Sequence, residues 1–151
     1  MIIRQAKKSD FPCIEKIYTL SKLDELRFES SAFKLLPLLD DKPRLNALLE
    51  SDILVCDDNG VIAYGAVCDA EIRGLFVHPA SRGQGVGQKL LAQLINKAKH
   101  PATLNIAKSN TPARALYEKF GFKITEDFET SYNGTPLTAS RMQVSAMEKS
   151  S

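Results

Sequence analysis

The stretch "HPASRGQGVGQKLL", residues 78–91, places Gly83, Gly85 and Gly87 at every second position between an apolar strand-like run and an apolar helix-like run. Glycine at this spacing lets the backbone approach a ligand closely and adopt a positive φ, at a cost in chain entropy. A turn alone would need fewer glycines. Since the first N–H groups of a helix lack partners and lie at its positive end, a strand, a glycine loop and a helix in this order predict a phosphate site.

Two common phosphate-binding motifs do not fit this loop. A P-loop would end in Gly-Lys-Ser or Gly-Lys-Thr, whereas Gly87 is followed by Gln88 and Lys89. The dinucleotide fingerprint has the spacing G-x-G-x-x-G after a parallel strand, whereas these glycines alternate and the preceding strands are predicted to be antiparallel. What remains is the pattern R-x-x-G-x-G over residues 82–87.

Length and composition predict one domain and exclude several classes of function. With 151 residues, 44% of them hydrophobic, the chain suffices for one core, so we expect a single domain over residues 1–151. The net charge is only +2 and no segment combines basic with aromatic residues, so nucleic acid is not an expected partner. No apolar run approaches the length of a membrane span, so a membrane is not expected either.

The cysteines and the N-terminus favour a cytoplasmic protein without a metal. Cys13, Cys56 and Cys68 are widely spaced, form no C-x-x-C pair and lie among apolar residues, so we expect small core side chains in a reducing compartment. The first residues lack the apolar segment of a secretory signal peptide.

Hydrophobic periodicity predicts a mixed α/β fold. The expected order begins with a short strand at Ile2 and Ile3 and two helices, the first capped by Ser9 or Asp10. A three-stranded meander from residue 52 with a turn at Asn59-Gly60 follows, and then a helix over residues 84–99. A strand at "ATLNIAK", a shorter helix ending before Gly121 and a final hairpin follow.

A second block, "NTPARALYEKFGF", matches the pattern N-x-x-A-x-x-x-Y-x-x-x-G-F at Asn110, Ala113, Tyr117, Gly121 and Phe122. Taken with R-x-x-G-x-G, it makes residues 60–122 resemble the GNAT superfamily of acetyl-CoA-dependent N-acetyltransferases. The resemblance implies a GNAT fold, a mixed, mostly antiparallel twisted sheet of about six to seven strands flanked by about four helices.

The resemblance also implies that acetyl-CoA is the co-substrate and that two groups of residues bind it. The loop backbone would hold the pyrophosphate, and the residues concerned are Arg82, Gly83, Gln84, Gly85, Val86 and Gly87. The pantetheine arm would lie between the strands "EIRGLFV" and "ATLNIAK", and the residues concerned are Leu75, Phe76, Val77, Asn110, Ala113 and Tyr117. A backbone N–H near Val77 would bind the thioester carbonyl oxygen.

Two catalytic residues follow from the same resemblance. Tyr117 would protonate the departing thiolate, and Glu71 would accept the proton of the acceptor amine. Both have alternative interpretations, Tyr117 as an aromatic of the helix core face and Glu71 as a solvated strand start. Asn110, one of the residues expected to bind acetyl-CoA, has one as well, as a helix cap. The acidic residues near the end of the first helix, Asp24, Glu25 and Glu29, are interpreted as a solvated face.

The expected function is direct acetyl transfer from acetyl-CoA to a primary amine of a small molecule in a ternary complex. Acetylation of protein lysines or N-termini is an alternative within the enzyme class, and an acyl-CoA-binding sensor without turnover is one outside it. Retention of both Tyr117 and Glu71 favours an enzyme, because a binder needs only the loop and the groove. A homodimer is compatible with the resemblance. The segment 21–50 and the tail, where the acceptor is chosen in this family, carry no motif that identifies it.

Overall fold

A computed structural model describes residues 1–145 and confirms the predicted order of elements; residues 146–151, included in the predicted domain, lie outside the described residues. The elements are β1 (Ile2–Gln5), α1 (Phe11–Ser21), α2 (Lys42–Leu49), β2 (Asp52–Asp57), β3 (Val61–Cys68), β4 (Glu71–Val77), α3 (Val86–Lys97), β5 (Ala102–Ala107), α4 (Thr111–Lys119), β6 (Lys123–Tyr132) and β7 (Thr135–Val144). A 3₁₀ segment, Lys22–Leu26, continues α1.

The seven strands form one sheet in the order β1-β2-β3-β4-β5-β7-β6. Only the neighbours β4 and β5 are parallel, because α3 carries the chain back between them, and all other pairs are antiparallel. The mixed, mostly antiparallel sheet with four α-helices around it is therefore as the sequence predicts for residues 1–145.

The sheet opens between β4 and β5. Their ladder registers a single pair, Glu71 with Thr103, whereas β5 pairs with β7 along its whole length. The register between β3 and β4 shifts at Ala66 and Val67, which leaves Arg73 as a bulge on β4. A bulge bends and twists its strand, so β4 turns away from β5 beyond this point.

Two apolar clusters cover the two faces of the sheet. On one face α3 buries the stripe that the sequence predicts, whose members are Val86, Leu90, Leu91, Leu94, Ile95 and Ala98. On the other face α1 buries Ile14, Ile17 and Tyr18 against the sheet. Spacings of three and four residues put these side chains on one side of each helix.

Three local predictions differ from the structure. Helix α3 begins at Val86 rather than residue 84, because Gly85 adopts a left-handed conformation with φ 76°. Cys13 is exposed rather than in the core, since the inner face of α1 is taken by its neighbour Ile14. Asp10 does not cap α1; its carboxylate accepts from the Lys7 N–H.

Within residues 1–145, no helix has both the length and the apolar character needed to cross a membrane.

Gly65 of β3 leaves no room for a side chain beneath α3. A Cβ there would lie 2.5 Å from Leu94 Cδ1 and 3.1 Å from the carbonyl oxygen of Gly74. We therefore expect Gly65→Ala to lower the free energy of unfolding by about 1–3 kcal/mol through overpacking, as measured by urea denaturation.

The control is the same change in a Leu94→Ala background. Removing the Leu94 methyl groups relieves the nearer contact, so the cost of Gly65→Ala should be smaller there. An equal cost in both backgrounds would show that the Leu94 contact is not the cause.

Candidate active site

A cavity of about 580 Å³ occupies the opening between β4 and β5. One wall consists of β4, β5 and α4, and the other of α1, the 3₁₀ segment, α2 and the ends of β6 and β7. The predicted site residues that line it are Glu71, Leu75, Phe76, Asn110, Ala113 and Tyr117. The remaining ones lie beyond it, at the carboxyl end of β4 and the start of α3: Val77, Arg82, Gly83, Gln84, Gly85, Val86 and Gly87.

The backbone of β4 directs alternate N–H groups into this opening. The His78 N–H donates to the Ile62 carbonyl oxygen at 2.8 Å, so the alternation of an antiparallel ladder directs the N–H and C=O of Phe76 toward β3 as well. The N–H groups of Leu75 and Val77 point the opposite way, to where β5 has separated. Phe76 thus contributes its ring to the cavity wall and its backbone to the ladder.

The glycine loop ends in the free amides of α3. Gly83 has φ 79° and Gly85 has φ 76°, values that side chains rarely allow, and both positions have open space around them. The first amides of α3 have no acceptor within the helix, and its first turn carries no acidic side chain. Gly87 lies against Val77, because a Cβ on Gly87 would be 3.7 Å from Val77 Cγ2. The side chain of Val86 is in the core, so only its backbone faces the loop.

A set of polar contacts joins the loop, the end of β4 and the 3₁₀ segment. The Val77 carbonyl oxygen accepts from Ser21 Oγ and from Arg82 Nε, each at 3.3 Å. Arg82 Nη1 lies 2.5 Å from Asp24 Oδ2, and both side chains are about 40% exposed. Asp24, interpreted from the sequence as solvated, therefore holds the arginine predicted to bind pyrophosphate.

Tyr117 lies half-buried on the inner face of α4. Its ring packs edge-on against Phe122, with centroids 5.8 Å apart. Burial raises the pKa of Tyr117 above its ordinary value, and the negative charge of Glu25 adds to the rise. The phenol therefore remains protonated across the neutral range.

Glu71 and Asn110 are each held by a neighbour. Glu71 Oε1 accepts from Arg73 Nε at 2.7 Å, and its side chain is 42% exposed and lines the cavity. Arg73 also pairs with Glu50, behind the cavity. Asn110 is buried, and its Oδ1 accepts from the Ala113 N–H at 3.4 Å, which confirms the helix-cap interpretation and leaves its other atoms at the cavity.

Sequence analysis missed three charged residues of the opposite wall and interpreted the fourth, Glu25, as part of a solvated face. Lys22, Glu25, Asp41 and Arg44 all line the cavity. Lys22 Nζ lies 2.9 Å from Glu25 Oε2, and Lys22 is buried although it is a lysine. The only available indication was the three-residue spacing of Lys22 and Glu25 in an irregular stretch, which is equally typical of a solvated surface.

Comparison with known proteins agrees with these features. A family model described as the acetyltransferase (GNAT) domain matches residues 50–124. The chain is 31% identical to the L-methionine sulfoximine/L-methionine sulfone acetyltransferase of Salmonella typhimurium over 83% of this chain and 81% of that protein. It is 28% identical, over the same shares, to the L-amino acid N-acyltransferase MnaT of Escherichia coli. The structure of the yncA acetyltransferase of Salmonella typhimurium, solved with its cofactor acetyl-CoA, superimposes with a TM-score of 0.74 at 27% identity, covering 100% of this chain and 96% of that one.

Proposed function

This chain belongs to the GNAT family of acetyl-CoA-dependent N-acetyltransferases, and from that membership we propose that it acetylates the amine of a small amino-acid-like molecule by direct attack in a ternary complex. The observation that carries the proposal is the cavity between β4 and β5, which joins free backbone donors, Tyr117 and a wall of paired charges. The named activities of the relatives on methionine derivatives and L-amino acids support this acceptor class.

The residues around the opening fit acetyl-CoA, which would supply the activated acetyl group. The free amides at the start of α3 suit a pyrophosphate, and the left-handed conformations of Gly83 and Gly85 keep that approach clear of side chains. Arg82 would exchange Asp24 for phosphate, which offers charge-assisted bonds of similar geometry. Asn110 and Ala113 would contact the arm from the α4 side.

We assign the thioester carbonyl to the Leu75 N–H in preference to the Val77 N–H. Both amides face the opening, but Leu75 lines the cavity together with Tyr117, whereas Val77 lies outside it. A donor directed at an oxygen on which negative charge develops lowers the activation barrier by about 3–4 kcal/mol. The Val77 N–H would then remain for the pantetheine arm.

Tyr117 and Glu71 would move the two protons. Tyr117, protonated because burial raises its pKa, would donate to the departing sulfur. Glu71 would take the proton of the acceptor ammonium, and Arg73 would fix the direction of its carboxylate. A sensor without turnover would not require these two groups in one cavity.

A panel assay tests the acceptor class. Thiol release from acetyl-CoA should be fastest with free amino acids and slower with polyamines and with peptides that offer a lysine or an N-terminus. Faster thiol release with the peptides would favour the protein-acetylating alternative. No thiol release with any amine would favour the acyl-CoA-binding sensor.

Gly85→Ala should weaken CoA binding by roughly tenfold, or about 1.4 kcal/mol, because the added methyl group meets the phosphate. Calorimetric titration with CoA measures the change. Gly134→Ala is the matched control, since Gly134 has φ 82° and equally open space but lies at the β6–β7 turn. Each variant should lose about 1–2 kcal/mol of folding stability, so equal CoA affinities in the two would contradict the role of the loop.

Tyr117→Phe should lower kcat by roughly 100-fold while the KM for acetyl-CoA stays near that of the wild type, because the ring packing is kept and only the proton donor is lost. Steady-state kinetics with saturating acceptor measures both constants. Full turnover in this variant would leave Tyr117 as a core aromatic.

Glu71→Gln should lower kcat at neutral pH, and the deficit should shrink as the pH rises above the pKa of the acceptor amine, which is then already neutral. A kcat series from pH 6 to 10 measures this. Glu50→Gln is the control, because Glu50 shares Arg73 but is not part of the cavity lining. If Glu71→Gln and the wild type have the same kcat throughout, Glu71 is not the base.

A further inference from the structure

The Tyr18 hydroxyl is a buried polar group that lacks a well-formed hydrogen bond within residues 1–145. Tyr18 is 2% exposed, lies on α1 and lines the cavity, and its oxygen lies near the Tyr132 hydroxyl without meeting the geometry of a hydrogen bond. Leaving such a group unpaired destabilises the fold, and native proteins retain it where something else completes the bond. Tyr18 therefore marks a point on the cavity wall at which a bound group is expected.

Two cations of the same cavity wall lie against one aromatic ring, that of Tyr132. Lys22 Nζ lies 5.1 Å and Arg44 Cζ 5.8 Å from the ring centroid of Tyr132. Tyr132 itself needs nothing further, because its hydroxyl accepts from the Leu36 N–H and donates to the Leu36 carbonyl oxygen. The ring thus holds both cations at the cavity while its own polar group is satisfied elsewhere.

The donors of this wall exceed its acceptors. Glu25 takes one of the three Lys22 donors, and Asp41 binds Arg44 through the backbone N and Nε. The terminal nitrogens Nη1 and Nη2 of Arg44 have no partner in the described part of the chain, and its side chain is 41% exposed. A lysine and an arginine together offer eight donors in all, so an anion bound here would find donors that Glu25 and Asp41 leave free.

The positive charge of Arg44 acts on the Tyr18 hydroxyl. Burial raises the pKa of the Tyr18 hydroxyl, and the positive charge of Arg44 opposes that rise. Tyr18 and Arg44 line the same cavity, so a ligand in this part of it would accept from a phenol and from a guanidinium.

We propose that Tyr18, Lys22 and Arg44 form a subsite for the α-carboxylate of an amino-acid acceptor. A carboxylate accepts two parallel bonds from the free end of a guanidinium and has further lone pairs for a phenol and an ammonium. The amine on the adjacent carbon would then lie in the same cavity, which Leu75 and Tyr117 also line. This inference rests on the proposed function, because it assumes that the acceptor enters this cavity.

The test compares each amino acid with its own carboxamide, which keeps the amine and side chain but removes the negative charge. Wild-type kcat/KM should be at least tenfold higher for the acid. In Tyr18→Phe and in Arg44→Gln that ratio should fall toward one, mainly through the KM of the acid, while rates with the carboxamide stay within about twofold of wild type.

Arg141→Gln is the matched control. Arg141, on β7, is 46% exposed, pairs with Glu126 of β6 and lies outside the cavity lining, so its substitution should leave the ratio unchanged. Because Tyr18→Phe removes only an unpaired buried hydroxyl, its melting temperature should equal or exceed that of the wild type. Arg44 lies near the surface, so Arg44→Gln provides an independent variant if packing around position 18 is disturbed.

The outcomes separate the subsite from the function it rests on. Equal wild-type rates with acid and carboxamide, or an acid preference that survives both substitutions, would overturn the carboxylate subsite while acetyl transfer itself stands. Absence of transfer to every amine would remove the proposed function instead. Calorimetric titration of CoA-loaded protein with the amino acid gives a second readout, in which only Tyr18→Phe and Arg44→Gln should lose affinity.

Discussion

The structure depends on one break in its hydrogen bonding, the separation of β4 from β5 after a single registered pair. A parallel pair in the middle of a sheet normally satisfies its backbone groups along its full length, so this separation leaves the inward amides of Leu75 and Val77 without strand partners. The bulge at Arg73 accommodates the bend, and β7 takes the other edge of β5, so the sheet continues past the gap. The fold therefore maintains unpaired donors in its interior, and a bound acyl carrier is the natural group to pair with them.

The contacts around the gap tie its two walls together. Ser21 and Arg82 hold the Val77 carbonyl from different directions, and Asp24 holds Arg82, so the 3₁₀ segment and the glycine loop share one peptide group of β4. Occupation of the loop by a phosphate would compete with Asp24 for Arg82. That exchange would release Asp24, which lies in the same 3₁₀ segment as Lys22 and Glu25 of the cavity wall.

The fold could be predicted because its elements are determined by local patterns. The period of α3, the turn at Asn59-Gly60 and the end of α4 at Gly121 each depend on a few adjacent residues, and all three match the structure. The two motif blocks likewise are short, and the structure brings Tyr117 and Asn110 to the same cavity as Leu75. The start of α3 was misjudged by two residues because nothing local distinguishes Gly85 as a left-handed cap from Gly85 as a helical residue.

The cavity wall formed by α1, the 3₁₀ segment and α2 could not be predicted because it is held by contacts between distant parts of the chain. Ser21 reaches a carbonyl 56 residues away, and Leu36 meets the hydroxyl of Tyr132 across 96 residues. Only these contacts place Lys22 and Arg44 beside one ring and leave the hydroxyl of Tyr18 unpaired; in the sequence each residue is an ordinary member of a polar or amphipathic stretch. Donors on β4 and the loop are backbone groups, which any sequence that keeps the bulge and the glycines supplies, whereas the opposite wall acts through side chains. Substitutions on α1 and α2 would therefore change the acceptor while the chemistry of the gap stays the same. This division of roles agrees with the distribution of motifs, which lie in the half of the chain that forms the gap and not in the half that forms the opposite wall.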